Sequence, residues 1–305
     1  MIETDVVVIG AGAAGLTAAI SAKNTGASVT IIEKNARLGG TGAISGGIIW
    51  VPNNHLMKGV GIEDTPEDAL AYFKSLDNGD LDNELLEAFV IESPKVLKKL
   101  VDMDALAVSL MAGYPDYYVE RPGAKPDGGR AMDNDLFSFH ELGDWSDKVY
   151  TSPNIPRLML RETPLGGASG FIEPEEMERR LEGDERGWGQ AMIARLLKTC
   201  LSLGMEPNLN ADVTSLKAVD DGWKVIFENG KDEHKIKSKS VVIATGGFEW
   251  DPTLRQAFLR GPLTKPASPP TNKGDGLKLL MSLGAGLGNM TSAVSYTHLT
   301  LPTKA

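Results

Sequence analysis

Cysteine is nearly absent: Cys200 is the only one in 305 residues. That excludes an internal disulfide and a cysteine-built zinc cage, and a lone thiol within a helical pattern reads as a small buried apolar group. Histidine is scarce too, and His55 and His140 stand alone with no second ligand at metal spacing, so surface or structural roles suit them. Positive charge is in deficit. With 31 Lys+Arg against 41 Asp+Glu the net charge is −10, which repels a nucleic-acid backbone rather than recruiting it. No apolar run approaches the roughly 20 residues needed to span a bilayer. The first strand begins near Thr4, which leaves no room for a signal peptide. These absences predict a cytoplasmic protein with no transmembrane segment and no nucleic-acid partner. Internal repeats are also missing, and Ser45 has no His/Asp arrangement that would make it a hydrolase nucleophile. What is there, 42% hydrophobic and 24% charged residues, is ordinary globular composition for one large or two average domains.

Residues 294–303 read VSYTHLTLPT, which resembles one translated reading frame of a transposon end followed by a primer tail used in sequencing-library preparation. Native sequence is therefore expected to stop near Ser292, with 293–305 an adapter-derived tail to be kept out of fold reasoning.

Asp5-Val-Val-Val-Ile-Gly10 is a continuous apolar run of strand length ending in glycine, the pattern of a strand buried on both faces of a parallel sheet. An alanine-rich helix from Leu16 to Asn24 follows, Gly26 closes it, and Ser28 to Glu33 makes a second strand, so residues 4–34 form a βαβ unit. Helices are predicted over 64–76 and 80–101, the first opened by a capping-box-like Asp64 and Glu67 with Pro66 in its first turn. From Met111 to Gly183 the chain is rich in Gly, Pro and Asp without a sustained period, as in a long functional segment folded on other elements. Within it, the acidic run from Glu173 to Glu185, mixed with Arg179 and Arg180, reads as a solvated helix face. Helical spacing returns from Trp188 to Ser202. Strands are expected over Ser215 to Phe227 and Lys235 to Ile243 around a turn at Glu228-Asn229-Gly230, and a short buried strand over 240–245 ends in Gly246-Gly247. The proline-rich stretch from Gly261 to Asn272 reads as a connection out of the domain, followed by a helix from Gly276 to Leu283.

Gly10-Ala-Gly12-Ala13-Ala14-Gly15 follows the first strand and opens a helix, and Glu33 ends the next strand 18 residues beyond Gly15. Gly10 permits the tight turn, Gly12 lets backbone approach a pyrophosphate, and Gly15 allows close helix–strand packing, while the helix N-terminus favours negative charge. Glu33 can accept two hydrogen bonds from a ribose diol and disfavours a 2′-phosphate. The spacing predicts a dinucleotide site. A second glycine run, Gly39, Gly40, Gly42, Gly46 and Gly47, then leads into Ile-Ile-Trp50-Val-Pro52; bare backbone of this kind suits close approach to a flat ligand, and a glycine-rich surface loop is the plain alternative.

Glu33 followed by five residues and Gly39-Gly40 resembles the extended FAD signature of two-dinucleotide-binding flavoproteins. Together with Gly40-Thr41 through Ser45-Gly46-Gly47, Trp50-Val-Pro-Asn53, Tyr114-Pro-Asp-Tyr117-Tyr118, Gly189 to Leu197 and Ala244-Thr245-Gly246-Gly247-Phe-Glu249, it makes the chain resemble the fumarate reductase/succinate dehydrogenase flavoprotein superfamily. Within that superfamily it is most similar to the 3-ketosteroid Δ1-dehydrogenases, from about Thr4 to Ser292. The resemblance implies a Rossmann-like FAD-binding domain over 1–292, a doubly wound parallel sheet with additional β-strands, with the cap domain largely missing. It implies FAD contacts from Gly10, Gly12, Ala13, Ala14, Gly15, Glu33, Lys34, Gly39, Gly40, Thr41, Ser45, Gly46 and Gly47, from Val213 at adenine, from Ala244, Thr245 and Gly246, and from Asp275 in Gly274-Asp-Gly. No histidine occurs at 41–47, where succinate dehydrogenase flavoproteins attach FAD covalently, so binding is expected to be non-covalent.

The resemblance also implies a chemistry: removal of a proton and a hydride from adjacent carbons beside a ketone, the hydride going to flavin N5. Tyr117 matches the tyrosine that hydrogen-bonds the base tyrosine in the family, the base itself belonging to the missing cap. No nicotinamide site is evident, and the electrons are expected to leave to an external acceptor such as a quinone. Enoate reduction, as in fumarate or urocanate reductases, is the alternative direction. A third alternative is that these 305 residues are a catalytically incomplete FAD-binding fragment.

Overall fold

Val6 to Ile9 put branched apolar side chains on both faces of a strand, and such a strand needs cover above and below. In the computed structural model it is β1 (Ile2–Ile9), an inner strand of a five-stranded sheet in the first of two compact units, 1–246 and 247–305. The structure describes residues 2–77, 79, 81–151, 157–261, 263–288 and 290–291, so Ser292 and the adapter-like string lie outside the described residues.

After β1 come α1 (Ala13–Lys23) and β2 (Val29–Ile32), then α2 (Gly40–Ile44), β3 (Ile49–Trp50), α3 (Pro66–Leu76) and α4 (Asn83–Asp102). The chain continues through β4 (Val108–Ala112), β5 (Gly128–Asn134), β6 (Phe137–Ser138), α5 (Pro174–Glu182), β7 (Glu185–Arg186) and α6 (Trp188–Ser202). The unit closes with β8 (Ala211–Val219), β9 (Gly222–Asn229) and β10 (Asp232–Ile243). The main sheet has the order β2-β1-β10-β9-β8, with β2, β1 and β10 parallel, as expected of the α/β core, and the additional strands β9 and β8 joined to it antiparallel. In register, Ile9 lies beside both Ile32 and Ile243. Three carboxyl ends therefore share one edge, where open α/β sheets bind their ligands. A smaller antiparallel sheet, β3-β5-β4, stands apart, as does the β6-β7 pair.

Leu16, Ala19 and Ile20 on α1 are completely buried in one cluster with Val8, Ile31, Ile193 and Leu197, so α1 covers the sheet and α6 packs against α1. Burial of each large apolar side chain contributes about 1.5–3 kcal/mol. Cys200 belongs to this cluster, and burial pushes its thiol up to about 12. The native chain is accordingly expected to show no reaction with a disulfide reagent at pH 8, and one thiol after denaturation in urea. Rapid labelling of the native chain would mean that α6 is not packed as described.

Several expectations shift. The start of α3 is one residue later than Asp64: Thr65 is its N-cap, accepting from Asp68 N at 3.1 Å, and Asp64 is drawn away into a buried ion pair. The stretch from 111 to 183 is not structureless. It holds β5, whose seven residues are all buried, together with 3₁₀ turns and α5. Its strand was hidden because its charged residues are neutralised internally rather than alternating with apolar ones. On α5 most side chains are solvated as expected, but Arg180 is buried and pairs with Glu162 at 2.7 Å. Ser215 to Phe227 is broken at Asp220-Asp221 into β8 and β9, and β10 runs unbroken through Ile243.

The second unit contains α7 (Pro252–Phe258) and α8 (Asp275–Ser282). Asp251 caps α7 by accepting from Leu254 N and pairs with Lys278 of α8 at 2.7 Å. Glu249 accepts from the Ser268 hydroxyl and from Asn272 Nδ2, so the proline-rich stretch expected to lead outward is folded back inside this unit.

Candidate functional site

Gly10 turns the chain off β1 at φ +104, and a Cβ there would stand 2.3 Å from Ala244 O at the end of β10. A Cβ on Gly15 would lie 1.9 Å from Gly10 O. Both positions are closed by backbone. Gly12 differs: its added Cβ meets nothing nearer than Gly39 O at 3.7 Å, and no side chain caps the helix that starts at Ala13 and Ala14. The unpaired amides of that first turn make a ready anion site.

The second glycine run is tied to this turn. Gly39 bridges Gly12 and donates its N–H to Ala11 O at 2.9 Å, at φ +104. Here too the glycines divide. Gly39 and Gly47 are pressed on by neighbours, while an added Cβ on Gly40 meets nothing within 4 Å and one on Gly46 only Leu160 at 3.9 Å. Thr41 lies on α2 between them, and Ser45 closes α2 by donating to Gly42 O and accepting from Gly47 N.

Glu33 is nearly buried, and its carboxylate accepts from Ala11 N at 2.9 Å and from Asn35 N and Nδ2 at 3.0 and 2.9 Å. Oε1 accepts twice from Asn35 and Oε2 once from Ala11, so one of the four lone-pair sites, on Oε2, stays open to a ribose hydroxyl rather than the two anticipated. Main-chain bonds Glu33 N to Asn208 O and Ala211 N to Glu33 O bring the start of β8, and with it Val213, to the same sheet edge. Lys34 follows directly. Ala244 donates to Ile9 O, which sets Thr245 and Gly246 beside Gly10. Asp275 opens α8 in the second unit. The first unit therefore holds every anticipated cofactor residue except Asp275 on the strand ends or the loops tied to them. The open glycines form a cradle that any Cβ would fill, which fits a bound dinucleotide.

Beyond Gly47 the chain enters β3, and Ile48 and Trp50 become one wall of a pocket of about 320 Å3. Tyr72, Phe73, Tyr114, Tyr117 and Tyr118 complete most of it. Trp50 meets Phe73 edge-on at 5.3 Å between ring centroids. Tyr117 is 68% exposed, so it borders the pocket from the open side. Tyr114 and Tyr117 share a hydrogen bond, and burial together with that contact raises the Tyr114 phenol above its ordinary value.

The tyrosines ride on the β4–β5 connection, and Asp116 holds that connection down. Its buried carboxylate accepts from Trp50 Nε1 at 2.8 Å, Arg130 Nη1 at 2.9 Å and Lys125 N at 2.9 Å. Arg130 in turn grips Asp64 through Nε and Nη2 at 2.8 and 2.7 Å. Burial opposes the Asp64 charge, but hydrogen bonds from Arg130 and Asn53 N outweigh it and hold the carboxyl below its ordinary range. The sequence reading missed Arg130, Asp64 and Asp116 as site residues. Their partners lie up to 66 positions apart, and the one local signal was the Pro-Asp-Tyr-Tyr string that contains Asp116.

The profile of the family described as FAD binding domain matches residues 5–302. A 4-oxocyclohexanecarboxylate 2-dehydrogenase of Sinomonas cyclohexanicum is 36% identical over 289 residues, covering 92% of this chain and 50% of its own. A 3-oxosteroid 1-dehydrogenase of Mycobacterium tuberculosis is 30% identical over 321 residues, covering 95% and 56%. Among solved structures, 3-ketosteroid Δ1-dehydrogenase from Sterolibacterium denitrificans in complex with 1,4-androstadiene-3,17-dione superposes with a TM-score of 0.82 at 29% identity, over 96% of this chain and 57% of that one. The chain thus spans about half the length of the curated relatives it matches. Among the described residues no helix is long and apolar enough to cross a membrane.

Proposed function

Because the chain belongs to the FAD binding domain family, we propose that it serves an FAD-dependent dehydrogenase that makes a C=C bond beside a ketone, with a 3-ketosteroid as its substrate. The observation that carries this reading is the aromatic pocket opening directly off the second glycine run. Gly47 and Trp50 are three residues apart, at most about 11 Å of chain, so a substrate against Trp50 lies next to whatever the glycines hold. Gly10 to Gly15, Glu33, Gly39 to Gly47 and Ala244 to Gly246 would hold FAD, with Val213 at its adenine end. When bound, FAD supplies the hydride acceptor. The protein's part is to receive the proton from the carbon next to the ketone. In this reading Tyr117 donates a hydrogen bond to the group that takes that proton, and Tyr114 orients Tyr117 by donating to it. A phenol titrates near 10 unperturbed, so a second hydroxyl that stabilises its anion is what such a base needs.

Charge favours a neutral ketone. Asp116 is the only charged residue among those lining the pocket, and the nearby cations are committed: Arg130 to Asp64 and Asp116, Lys125 to Asp68 at 2.9 Å. Among the described residues lining the pocket, no cation complements a carboxylate such as that of 4-oxocyclohexanecarboxylate. The match to about half of each relative also supports a second reading, in which these residues alone bind FAD without turnover. Both are tested by titrating the FAD-loaded chain with 4-androstene-3,17-dione and with 4-oxocyclohexanecarboxylate while following the flavin absorbance, then adding a dye or quinone acceptor. The steroid is expected to perturb the band at the lower concentration, and Tyr117→Phe to weaken its effect. Preference for the carboxylate, or no response to either, sinks the substrate assignment; dye reduction by this chain alone sinks the second reading.

A further inference from the structure

Tyr72, on α3, stands in the wall of the aromatic pocket with its ring held by neighbours. Trp50 lies 6.3 Å from it between centroids, and the Arg130 guanidinium sits over its face at 5.7 Å. Its hydroxyl oxygen accepts the N–H of Tyr118 at 3.3 Å, and Tyr118 lines the same pocket. Tyr72 is only 5% exposed, and burial raises its phenol above the ordinary value, so the group carries its proton. That proton is donated to no group among the described residues. Other polar groups of the wall are committed: Trp50 Nε1 donates to Asp116, the Asp116 carboxylate takes three donors, and Tyr114 bonds Tyr117. Buried polar groups are normally satisfied, so a shielded donor left over in the wall of a cavity points to a ligand.

A donor needs an acceptor, and the wall decides which kind. Asp116, the one charged residue of the lining, is negative, so an anionic oxygen is opposed while a neutral carbonyl or hydroxyl oxygen is not. The N–H of Tyr118 occupies the phenol oxygen from the side of the β4–β5 connection, which turns the hydroxyl hydrogen away from that connection. The reacting end of the substrate is already served by Tyr117. We propose that Tyr72 donates a hydrogen bond to a second, neutral oxygen of the substrate, so that the pocket selects ketones carrying another carbonyl or hydroxyl group. The inference rests on the reading above that this pocket takes a 3-ketosteroid, and it adds a specificity determinant to it. Because the ring is packed in place before the ligand arrives, little rotamer freedom is left to lose on binding.

The test is calorimetric titration of the FAD-loaded 305-residue chain with 4-androstene-3,17-dione and with 4-androsten-3-one, the same ring skeleton without the second ketone. Tyr72→Phe keeps the ring and removes the O–H. The preference for the dione is expected to be about fivefold larger in wild type than in this variant, the worth of one neutral hydrogen bond. A loosened Tyr118 would weaken both steroids alike, so the ratio of affinities separates a ligand contact from a structural role. Testosterone, whose second oxygen is a hydroxyl, is expected to bind wild type as the dione does. Equal ratios in the two proteins overturn the assignment and leave the ketosteroid reading standing. A wild type indifferent to the second oxygen overturns it without any variant needing to fold. Binding of none of the three steroids by wild type overturns the ketosteroid reading itself and this inference with it.

Discussion

Arg130→Met is expected to destabilise the chain by roughly 3–5 kcal/mol, the usual consequence of removing one member of a buried ionic cluster. The reason is what stays behind. Asp64 and Asp116 are both buried, and both face the guanidinium that neutralises them. Without it, Asp116 keeps only neutral N–H donors, and the one cation left near the pair is Lys125, 3.4 Å from Asp64 Oδ1 and already held by Asp68. The loss should also be felt in the pocket, because Asp116 ties the tyrosine-bearing connection to β3 and β5. Urea unfolding followed by tryptophan fluorescence measures the first effect, and binding of a ketosteroid the second. A cost below about 1 kcal/mol at pH 7 would show that solvent reaches the cluster and replaces the arginine.

The dependence on pH gives this prediction a sign as well as a size. In wild type the folded Asp64 carboxyl titrates below its ordinary value of 3.8. A depressed carboxylate stabilises above the unfolded value and loses that contribution as the pH falls through the folded one, so wild type should weaken on acidification below about pH 4. In Arg130→Met the buried Asp64 carboxyl keeps only Lys125 as a nearby cation, burial raises it above the unfolded value, and the folded state binds protons first. Acidification from pH 7 toward pH 5 should then stabilise the variant, a slope opposite to that of wild type.

The other large effect separates two glycines three residues apart. Gly15→Ala places a methyl group 1.9 Å from Gly10 O and forces α1 off β1, while Gly12→Ala places one where only Gly39 O lies, at 3.7 Å. Gly15→Ala is therefore expected to lose stability by about 3 kcal/mol or more, at or beyond the upper end of overpacking costs. Gly12→Ala should stay within about 1 kcal/mol of wild type, since its φ of −83° suits alanine and only the cap position changes. Its loss should be in FAD affinity, on the order of 100-fold or about 2.7 kcal/mol, because its methyl group occupies the approach to the pyrophosphate. Flavin titration and urea unfolding of both variants decide the matter. If Gly12→Ala binds FAD as wild type does, the open side of that turn does not hold the cofactor.

This contrast also marks the limit of what the residues reveal in one dimension. The β1–α1–β2 unit was legible because its apolar run, its glycines and Glu33 all fall within some 30 residues and act locally. The pattern GxGxxG assigns the open approach to Gly12 and close packing to Gly15, but it does not reveal that Gly10 is closed by Ala244, a neighbour only after β10 returns. Thr65 displaced Asp64 as a helix cap because Arg130 claims Asp64 from 66 positions away. Tyr117 was visible by resemblance, but the grip on it through Asp116, Trp50 and Arg130 was not.

β10 is the strand that completes the cradle, and it is made late. Val7 pairs with Val241, so more than 200 residues must leave the ribosome between partners. At about 5–20 residues per second, that interval is roughly 10–50 s. Through all of it the β10-facing edge of β1 is a naked row of amides and carbonyls on a valine-rich strand, the kind of edge that recruits foreign strands. The nascent chain's hazard and its cofactor turn are therefore one place, and both are resolved when Ala244 docks on Ile9.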